Sequence, residues 1–492
     1  MFSWGYKKMP DLFAQRINVE KEPVYEVEEM AEKKARTVKH LIHANHSIFS
    51  VIYHNLEFHN HVPHLLGSAY ILGSTNDHLN EVYDVETETL EKWTDSPEGV
   101  SQHLSKHLVA GGTNNFPSGQ RYFELLFTIV PGWLLWLLVC LPVSTSSFLS
   151  VLPILFELTF PARRRYQRAY MDFFEDQLPR YGHDWKAMTE AYLFKGPNPL
   201  INNVICGLGH SLIHLGYAYE LSSRTVATEA LVLNACFYNS MHKYLDDPSY
   251  TRPSPHPSHD PLTLLHRIRD DRRFDNLFPH KGDLNIYILM EKREAAVLEH
   301  WNALAVPDSP TQIFEACQRA AVAALVATRA DGEKYDFFLV HLLTTSHALR
   351  HLLPSLPARW HVALARQWWL LVVTIYVAQH RPEIRRARVD DFDLRGRDWG
   401  FIVKEALDGQ WRNDAHYVKA LRAIKNAADT WGDDDSRFLL KAAVKFATEF
   451  GGWGGFAPLE IARTDERKHV KMGISSEEVE EAKAQAAADD NN

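Results

Sequence analysis

The sequence predicts an all-α protein, built as a single large multi-helix domain around a buried, histidine-rich pocket. Two observations lead to this prediction. Apolar residues recur at three- and four-residue spacing along most of the chain, whereas alternating polar and apolar runs are scarce and no βαβ rhythm is visible. In addition, seven histidines lie between His40 and His64, and four more lie on two later apolar segments.

Length and composition allow one sizeable core. The chain has 492 residues, of which 46% are apolar and 12% aromatic, so it can form one large domain or two to three ordinary ones. Lysine and arginine total 53 against 62 acidic residues, which gives a formal charge of −9. Nucleic-acid binding needs a basic face, so this balance argues against that class of partner.

The cysteines and the N-terminus indicate a cytoplasmic protein. No two of the four cysteines have the spacing of a zinc finger or of a redox pair. Buried free thiols in a reducing compartment fit this pattern. The N-terminal sequence MFSWGYKKMPDLF lacks an apolar core of signal-peptide length, which argues against secretion.

The elements follow one another as helices separated by clear breaks. Helices are predicted at about 29–53, from Asn76 or Asp77 toward Trp93, and at about 166–193, 199–221, 224–243, 283–303, 310–329, 335–352, 357–380, 397–407, 413–430 and 435–450. The proline-rich segment 246–262 predicts a surface loop, and the glycines of 451–458 end the last strong helix.

Three regions make up the predicted domain organisation: an N-terminal segment at 1–34, the helical domain at 35–455 and a C-terminal tail at 456–492. From about 475 the tail is acidic and Ala-rich. It shows no apolar face that could dock, so we expect it to be partly disordered.

One apolar stretch does not fit the helical domain. Residues 125–156 contain no charge and exceed the roughly 20 residues that cross a bilayer. The stretch is either a membrane segment, broken by prolines, or part of a retained intron at 123–166. The second hypothesis rests on the repeat of Arg121–Tyr122 as Arg165–Tyr166, because removal of 123–166 leaves a continuous SGQRYQRAYMDFF.

The first histidine cluster ends at a predicted bend. Pro63 disfavours helix at the residue before it and suits the first turn of a new helix. His61 and His64 are therefore expected at the mouth of a second helix, where anions such as a phenolate or superoxide are favoured. They are candidate catalytic residues, whereas His40 and His46 are expected at the surface.

The second cluster lies in the segment NNVICGLGHSLIHLGYAYELSSR. His210 and His214 are four residues apart and share one helix face, which is a common metal-binding arrangement. Ser211 stands where a zinc protease has glutamate, so peptidase chemistry is not expected. Glycines such as Gly216 allow close approach of another backbone or a flat ligand. The alternative is that both histidines only pack helices.

The third cluster lies in EKYDFFLVHLLTTSHALRHLLP. His341 and His347 point about 120° apart on an ideal helix, so they can address one centre only from its flanks. His347 and His351 are better aligned, and the pairing stays open between these alternatives and ordinary core or surface histidines. Arg350 could hold a phenolate or a carboxylate. No G-x-G-x-x-G follows a strand, so no flavin or nicotinamide site is predicted.

Four segments together resemble the questin oxidase-like family of fungal proteins: FHNHVPHLLGSAYILG, GHSLIHLGYAYE, KYDFFLVHLLTTSHALR and YVAQHRPEI. The resemblance runs from about 35 to 455, with 123–166 as an apparent insertion. Members of that family are mostly helical oxygenases of aromatic polyketide pathways, which open an anthraquinone ring by Baeyer–Villiger-type insertion of oxygen from O₂. The family also contains a non-haem iron enzyme that uses four histidines and a carboxylated lysine.

Residue by residue, the resemblance implies six catalytic histidines: His61, His64, His210, His214, His341 and His347. If iron is bound, the implied ligands are His61, His210, His214 and His341. No lysine plainly occupies a ligand position, since Gln379 lies in the YVAQHRPEI segment and Lys334 lies at a helix start. This favours the metal-free mechanism.

The leading hypothesis is an oxidoreductase that inserts O₂-derived oxygen into a reduced, anthraquinone-like ring and opens it. A neutral imidazole would deprotonate a phenol, and protonated imidazoles would stabilise superoxide and a peroxide adduct. A chamber lined by Trp and Tyr would bind the flat rings. No bound cofactor is expected: O₂ is the co-substrate, and NADPH acts indirectly through a partner reductase.

Two alternatives stay open. The first is a non-haem iron dioxygenase that cleaves the ring with the same histidines, because neutral imidazoles suit iron. The second is a non-catalytic helical protein that is anchored to a membrane through 125–156.

Overall fold

The computed structural model describes residues 16–96, 164–195, 199–306, 310–433, 435–464 and 466–489. Regular structure in these residues is almost entirely α-helical, which confirms the predicted fold class. The hypothetical membrane anchor at 125–156 lies outside the described residues. The hypothetical intron at 123–166 also lies outside them, except for residues 164–166.

The helices are numbered in chain order within the described residues. They are α1 (Lys33–Ile48), α2 (Val62–Ile71), α3 (Asn76–Thr87), α4 (Gln167–Gln177), α5 (Trp185–Phe194), α6 (His210–Glu220), α7 (Arg224–Phe237), α8 (Lys243–Asp246), α9 (Pro261–Asp270), α10 (Asn285–Ala303), α11 (Pro310–Val326), α12 (Leu339–Leu352), α13 (His361–Ala378), α14 (Ala387–Asp390), α15 (Trp399–Asp408), α16 (Ala415–Trp431), α17 (Phe438–Glu449), α18 (Pro458–Arg463), α19 (Glu466–Met472) and α20 (Ser476–Asp489).

Four two-residue strands form two small sheets. They are β1 (Ile52–Tyr53), β2 (Phe58–His59), β3 (Tyr335–Asp336) and β4 (Trp453–Gly454). β1 pairs antiparallel with β2, and β3 pairs parallel with β4.

The first helix is shorter than predicted. Helix α1 ends at Ile48 instead of near residue 53, because the chain then folds into the β1–β2 hairpin. The turn of this hairpin holds His54, Asn55 and Leu56 at positive φ, a conformation that costs energy for residues other than glycine. The hairpin brings His59 next to the start of α2, so the predicted bend before Pro63 is confirmed.

The centre of the molecule is formed by α2, α6, α7, α12 and α16. Helix α6 packs against α7 on one side and α12 on the other, and α16 packs against both α2 and α12. Serine and aspartate start two of these helices. The side chain of Ser223 caps α7, and Asp414 caps α16 by accepting a hydrogen bond from the Tyr417 N–H at 2.8 Å. This central group of helices positions the histidines described below.

Gly216 sets the distance between α6 and α12. A Cβ atom at this position would lie 2.8 Å from Cβ and 2.9 Å from Cα of Ala348. Real Cβ atoms do not approach other carbons so closely, so a larger residue would separate the two helices. The glycines of this segment predict a close approach of another backbone, and the backbone of α12 makes this approach at Gly216.

We expect Gly216→Ala to lower the free energy of unfolding by about 1–3 kcal/mol, because overpacking outweighs the better helix propensity of alanine. Urea denaturation followed by circular dichroism measures this difference. Gly451→Ala is the matched control, since an added Cβ at Gly451 meets nothing within 4 Å. Equal stability of both variants and the wild type would contradict the tight crossing.

The tail differs from the expectation of partial disorder. After residue 455 the chain forms α18, α19 and α20, and α20 packs against α18. Val479, Ala482 and Ala486 are buried in this contact. These residues recur at three- and four-residue spacing but are mostly small, so their face is too weakly apolar to be recognised from sequence.

Within the described residues, one helical segment is long and apolar enough to cross a membrane. It is Ala358–Ala378, and the whole apolar part of it is buried inside the protein. The core helix of a protein can have the length and the apolar composition of a membrane-spanning helix.

Candidate active site

Four helix starts meet at one place. His61 is the residue before the first turn of α2, and His210 is the first residue of α6. His341 lies in the first turn of α12, and His416 is the second residue of α16. Helix N-termini carry partial positive charge and unpaired N–H groups, so the centre favours neutral imidazoles and bound anions.

The rings of these residues are in mutual contact. His61 Nε2 lies 3.0 Å from His210 Nε2, and the His61 and His416 ring centroids are 4.5 Å apart. The ring of His341 lies 5.1 Å from the rings of both His210 and His416. His59 stacks on His210 with a centroid distance of 3.7 Å. We call these five residues, His59, His61, His210, His341 and His416, the imidazole cluster.

Backbone carbonyls fix the orientation of two of these rings. His210 Nδ1 lies 2.7 Å from the Gly207 carbonyl, and His341 Nδ1 lies 3.0 Å from the Phe337 carbonyl. Since a carbonyl only accepts, each Nδ1 carries the proton and each Nε2 presents a lone pair. The second nitrogen of a metal-binding histidine is held in the same way.

Several nitrogen atoms of the cluster lack a hydrogen-bond partner. Nε2 of His59, His341 and His416 is buried and unpartnered within the part of the chain that the structure describes. The ligand atoms of His61, His210 and His416 lie within 4.8 Å of one another, a spacing that could hold a metal ion. Unsatisfied buried nitrogens are costly, so they point to a ligand or a substrate.

Burial keeps the imidazole cluster neutral. It lowers the pKa of all five histidines, and that of His341 falls to about 3. Neighbouring positive groups, Lys419 among them, add to the shift. Neutral imidazoles are the form that binds metals, and they are weak proton acceptors.

Lys419 is the lysine that the sequence analysis missed. It lies on α16 three residues after His416, so the two side chains share a helix face. Its side chain is buried, and Nζ has no hydrogen-bond partner among the described residues. Burial lowers the pKa of Lys419 to about 7, although Asp414 and Glu86 act in the opposite direction. Lys419 is thus a buried amine close to His416 in the chain, and the sequence analysis did not consider it.

A second histidine pair lies beside the cluster. His64 Nε2 is 2.8 Å from His214 Nδ1, and the His64 ring lies 5.5 Å from that of His61. His214 Nδ1 also lies 3.2 Å from the His210 carbonyl. The group whose spacing could hold a metal ion shares His61 and His210 with the implied ligands, but it contains His416 and neither His214 nor His341.

His347 is not brought to the imidazole cluster. Its Nε2 lies 3.0 Å from Nε2 of His351, and His351 Nε2 lies 3.5 Å from Glu220. Glu220 also pairs with the buried Arg422. The helix geometry explains this separation, because His341 and His347 face different sides of α12.

His40 is exposed as expected, but the prediction for His46 is wrong. The His46 side chain is only 13% exposed and lies between two carboxylates. Nδ1 is 2.9 Å from Glu229 and Nε2 is 2.9 Å from Glu175. Burial alone would lower the pKa of His46, but the two carboxylates raise it to about 9.

This pairing predicts a pH-dependent stability. A raised pKa stabilises the fold below the unfolded value of 6.5, and this contribution is lost as the pH rises through about 9. The shift corresponds to roughly 3 kcal/mol. We expect the wild type to lose stability relative to His46→Gln over this range, as measured by urea denaturation at several pH values. A pH-independent difference between the two proteins would contradict the pairing.

Phenylalanines form much of the wall around the cluster. Phe337 contacts the rings of His341 and His416 at 5.2 and 4.5 Å, and Phe237 contacts His59 at 4.7 Å. Trp453 lies 6.1 Å from His416. The aromatic rings in contact with the cluster are thus mostly phenylalanine, whereas the sequence analysis expected Trp and Tyr.

The fold and the site define an all-helical enzyme with a buried polyhistidine centre. The chain belongs to the questin oxidase-like family, whose sequence profile matches residues 58–119 and 159–424. These ranges contain every residue of the imidazole cluster as well as Lys419. The interruption at 120–158 overlaps the apolar stretch that the sequence analysis singled out.

Curated relatives agree with this assignment. The chain is 23% identical over 431 residues to a Baeyer–Villiger oxidase, mdpL, of Emericella nidulans, which covers 82% of this chain and 84% of that protein. It is 22% identical to the Baeyer–Villiger monooxygenase AacuH of Aspergillus aculeatus, over 79% of this chain and 77% of that protein. It is 27% identical to a questin oxidase of Aspergillus fumigatus, over 52% of this chain and 61% of that protein. The chain is an oxidoreductase of this family.

Proposed function

We propose that this chain is an oxygenase that uses O₂ to open a ring of a reduced, anthraquinone-like polyketide in a Baeyer–Villiger-type reaction. The observation that supports it most is the convergence of four neutral imidazoles at four helix starts, with His59 stacked on His210 and the buried Lys419 one turn after His416. The names of the relatives support the reaction type.

The reaction balances without a bound reductant. A substrate that has already been reduced by two electrons supplies two electrons and two protons. One oxygen atom of O₂ enters the ring to form a lactone, and the other leaves as water. A further water molecule then hydrolyses the lactone to a carboxylic acid and a hydroxyl group, which opens the ring. NADPH therefore acts through a separate reductase that prepares the substrate.

Lys419 suits the role of base better than the histidines do. A phenol must lose its proton before its ring becomes electron-rich enough to react with O₂. The pKa of every clustered histidine is lowered, whereas that of Lys419 is about 7, so a large share of its amine is neutral at neutral pH. The helix starts then stabilise the phenolate and reduced oxygen. Phe337 and Phe237 provide flat surfaces for the aromatic rings.

An iron-dependent ring-cleaving dioxygenase is the second candidate, and a specific observation favours it. His61, His210 and His416 offer nitrogen donors within 4.8 Å of one another, and such donors suit iron. His341, whose Nε2 is unpartnered among the described residues, lies beside them with its ring 5.1 Å from those of His210 and His416. Iron held there would supply the redox centre for O₂ reduction. The family resemblance implies a carboxylated lysine as a further ligand. Lys419 fits that role, since the neutral amine is the form that adds CO₂.

Two measurements test these proposals together. Elemental analysis of the purified protein determines whether iron is bound, and an oxygen electrode with an anaerobically reduced hydroxyanthraquinone determines whether O₂ is consumed. Mass spectrometry with ¹⁸O₂ then counts the labelled atoms in the product. One labelled atom from metal-free protein supports the Baeyer–Villiger mechanism, and two atoms from protein that requires iron support the dioxygenase. No O₂ uptake with or without added iron would contradict the proposed function.

A further inference from the structure

A series of titratable side chains extends from the surface toward the imidazole cluster. It begins at Glu175 on α4, whose side chain is 48% exposed, and continues through His46 on α1 to Glu229 on α7, which is 1% exposed. From Glu229 it reaches His214 on α6, and then His64 on α2. Each member lies on a different helix, so the alignment is a property of the tertiary fold.

Short hydrogen bonds join the outer members of this series of side chains. His46 spans Glu175 and Glu229 with two contacts of 2.9 Å. Since carboxylates only accept, a protonated His46 donates to both, and such charge-assisted bonds are strong. Arg168, which lies on the same helix as Glu175, pairs with Asp172. The hydrogen bond with His46 lowers the pKa of Glu175, and the positive charge of Arg168 adds to this shift.

The inner part leads to the cluster. Glu229 Oε2 lies 3.7 Å from His214 Nε2, and neither atom has a hydrogen-bond partner within the described ranges. A small rotation of either side chain brings these two atoms within hydrogen-bond distance. His214 Nδ1 then lies 2.8 Å from His64 Nε2. His64 Nδ1 is also unpartnered in the described part of the chain, and its ring lies beside His61.

A reaction in a buried site needs a path along which protons can reach solvent. His61, His210 and His341 are at most 8% exposed, so a proton released by a bound phenol cannot pass directly to bulk water. Ring nitrogens and carboxylates linked by hydrogen bonds exchange protons without the movement of large groups. The local ion pairs elsewhere on α1, such as His43 with Glu28, do not reach the cluster.

We propose that Glu175, His46 and Glu229 form a proton route that connects solvent to the His214–His64 pair beside the imidazole cluster. This inference rests on the proposed function, because the route serves a substrate that ionises in the cluster. His46, Glu229 and Glu175 are proton-transfer residues in this scheme and do not touch the substrate.

The test uses a ligand whose own colour reports its protonation. Alizarin, a dihydroxyanthraquinone, changes from yellow to red or violet when a phenol ionises, and as an oxidised compound it needs no turnover. It is bound to the full-length protein, and the pH is raised rapidly through neutrality in a stopped-flow instrument. The rate of the colour change of the bound dye is compared between the wild type, His46→Gln, Glu229→Gln, Glu175→Gln and the control His43→Gln.

We expect His46→Gln and Glu229→Gln to slow the colour change by about tenfold or more, with unchanged dye affinity. Glu175→Gln, at the solvent end, is expected to have a smaller effect, and His43→Gln none. If Glu229→Gln does not fold, the comparison of His46→Gln with His43→Gln decides. The route is overturned if the bound dye changes colour at the same rate in His46→Gln and His43→Gln, whether or not both are slower than the wild type. If the wild type binds neither alizarin nor its reduced form, the proposed function fails and the route fails with it.

Discussion

Lys419→Met is expected to reduce O₂-dependent turnover by about 10² or more while leaving the fold as stable as the wild type or more so. A buried amine without a partner costs free energy. Methionine fills a similar volume without that cost, so stability is retained or gained. With a pKa of about 7, the Lys419 amine is also a better proton acceptor than the histidines of the imidazole cluster, and it is the lysine that we propose for the iron site, so its loss impairs catalysis under either proposal.

Turnover with an oxygen electrode and thermal unfolding of the same sample measure both effects. Lys445→Met is the matched control, because Lys445 is also buried but donates to Glu449 at 2.7 Å. That variant is expected to lose stability and to keep its activity. If Lys419→Met behaves like Lys445→Met, Lys419 is a structural residue and both proposed roles are wrong.

His61→Ala and His210→Ala are each expected to lower turnover by about 10² or more, with circular dichroism that stays helical. Both rings face the centre, with their Nε2 atoms 3.0 Å apart. Loss of one imidazole removes a donor for a metal or an electrostatic contact to the reacting oxygen.

The exposed His256 offers the control for these two variants. His256→Ala is expected to retain full turnover. Binding of alizarin separates the roles further, since a variant that binds the dye but does not turn over has lost chemistry and kept recognition. Wild-type turnover in both His61→Ala and His210→Ala would show that the imidazole cluster is not the reaction centre.

The helical periodicity was sufficient to predict the fold class, and the histidine pattern singled out three of the five histidines that the structure brings together. His61, His210 and His341 come together in the structure. Of these three, only His61 was predicted at a helix start, because the helix predicted at 199–221 begins at His210 in the structure. The bend predicted before Pro63 was the local signal for His61. Helix ends were less accurate, since the β1–β2 hairpin depends on its partners more than on its own sequence.

The remaining site residues could not be found from local patterns. His416 and Lys419 lie in HYVKALRAIK, where a lysine on an amphipathic helix normally faces solvent. Only the packing of α16 against α2 and α12 buries that face. The three-residue spacing of His416 and Lys419 was a usable signal, because it places a donor and an amine on one face. His46 was missed for the same reason, since its carboxylate partners lie on distant helices.

The donors of the centre are spread over most of the polypeptide, from His59 on the hairpin to Lys419 on α16. During synthesis, α16 leaves the ribosome after almost everything else that surrounds the imidazoles. A nascent or prematurely terminated chain therefore carries scattered histidines but no assembled site. Assembly of the centre therefore depends on the late helix α16.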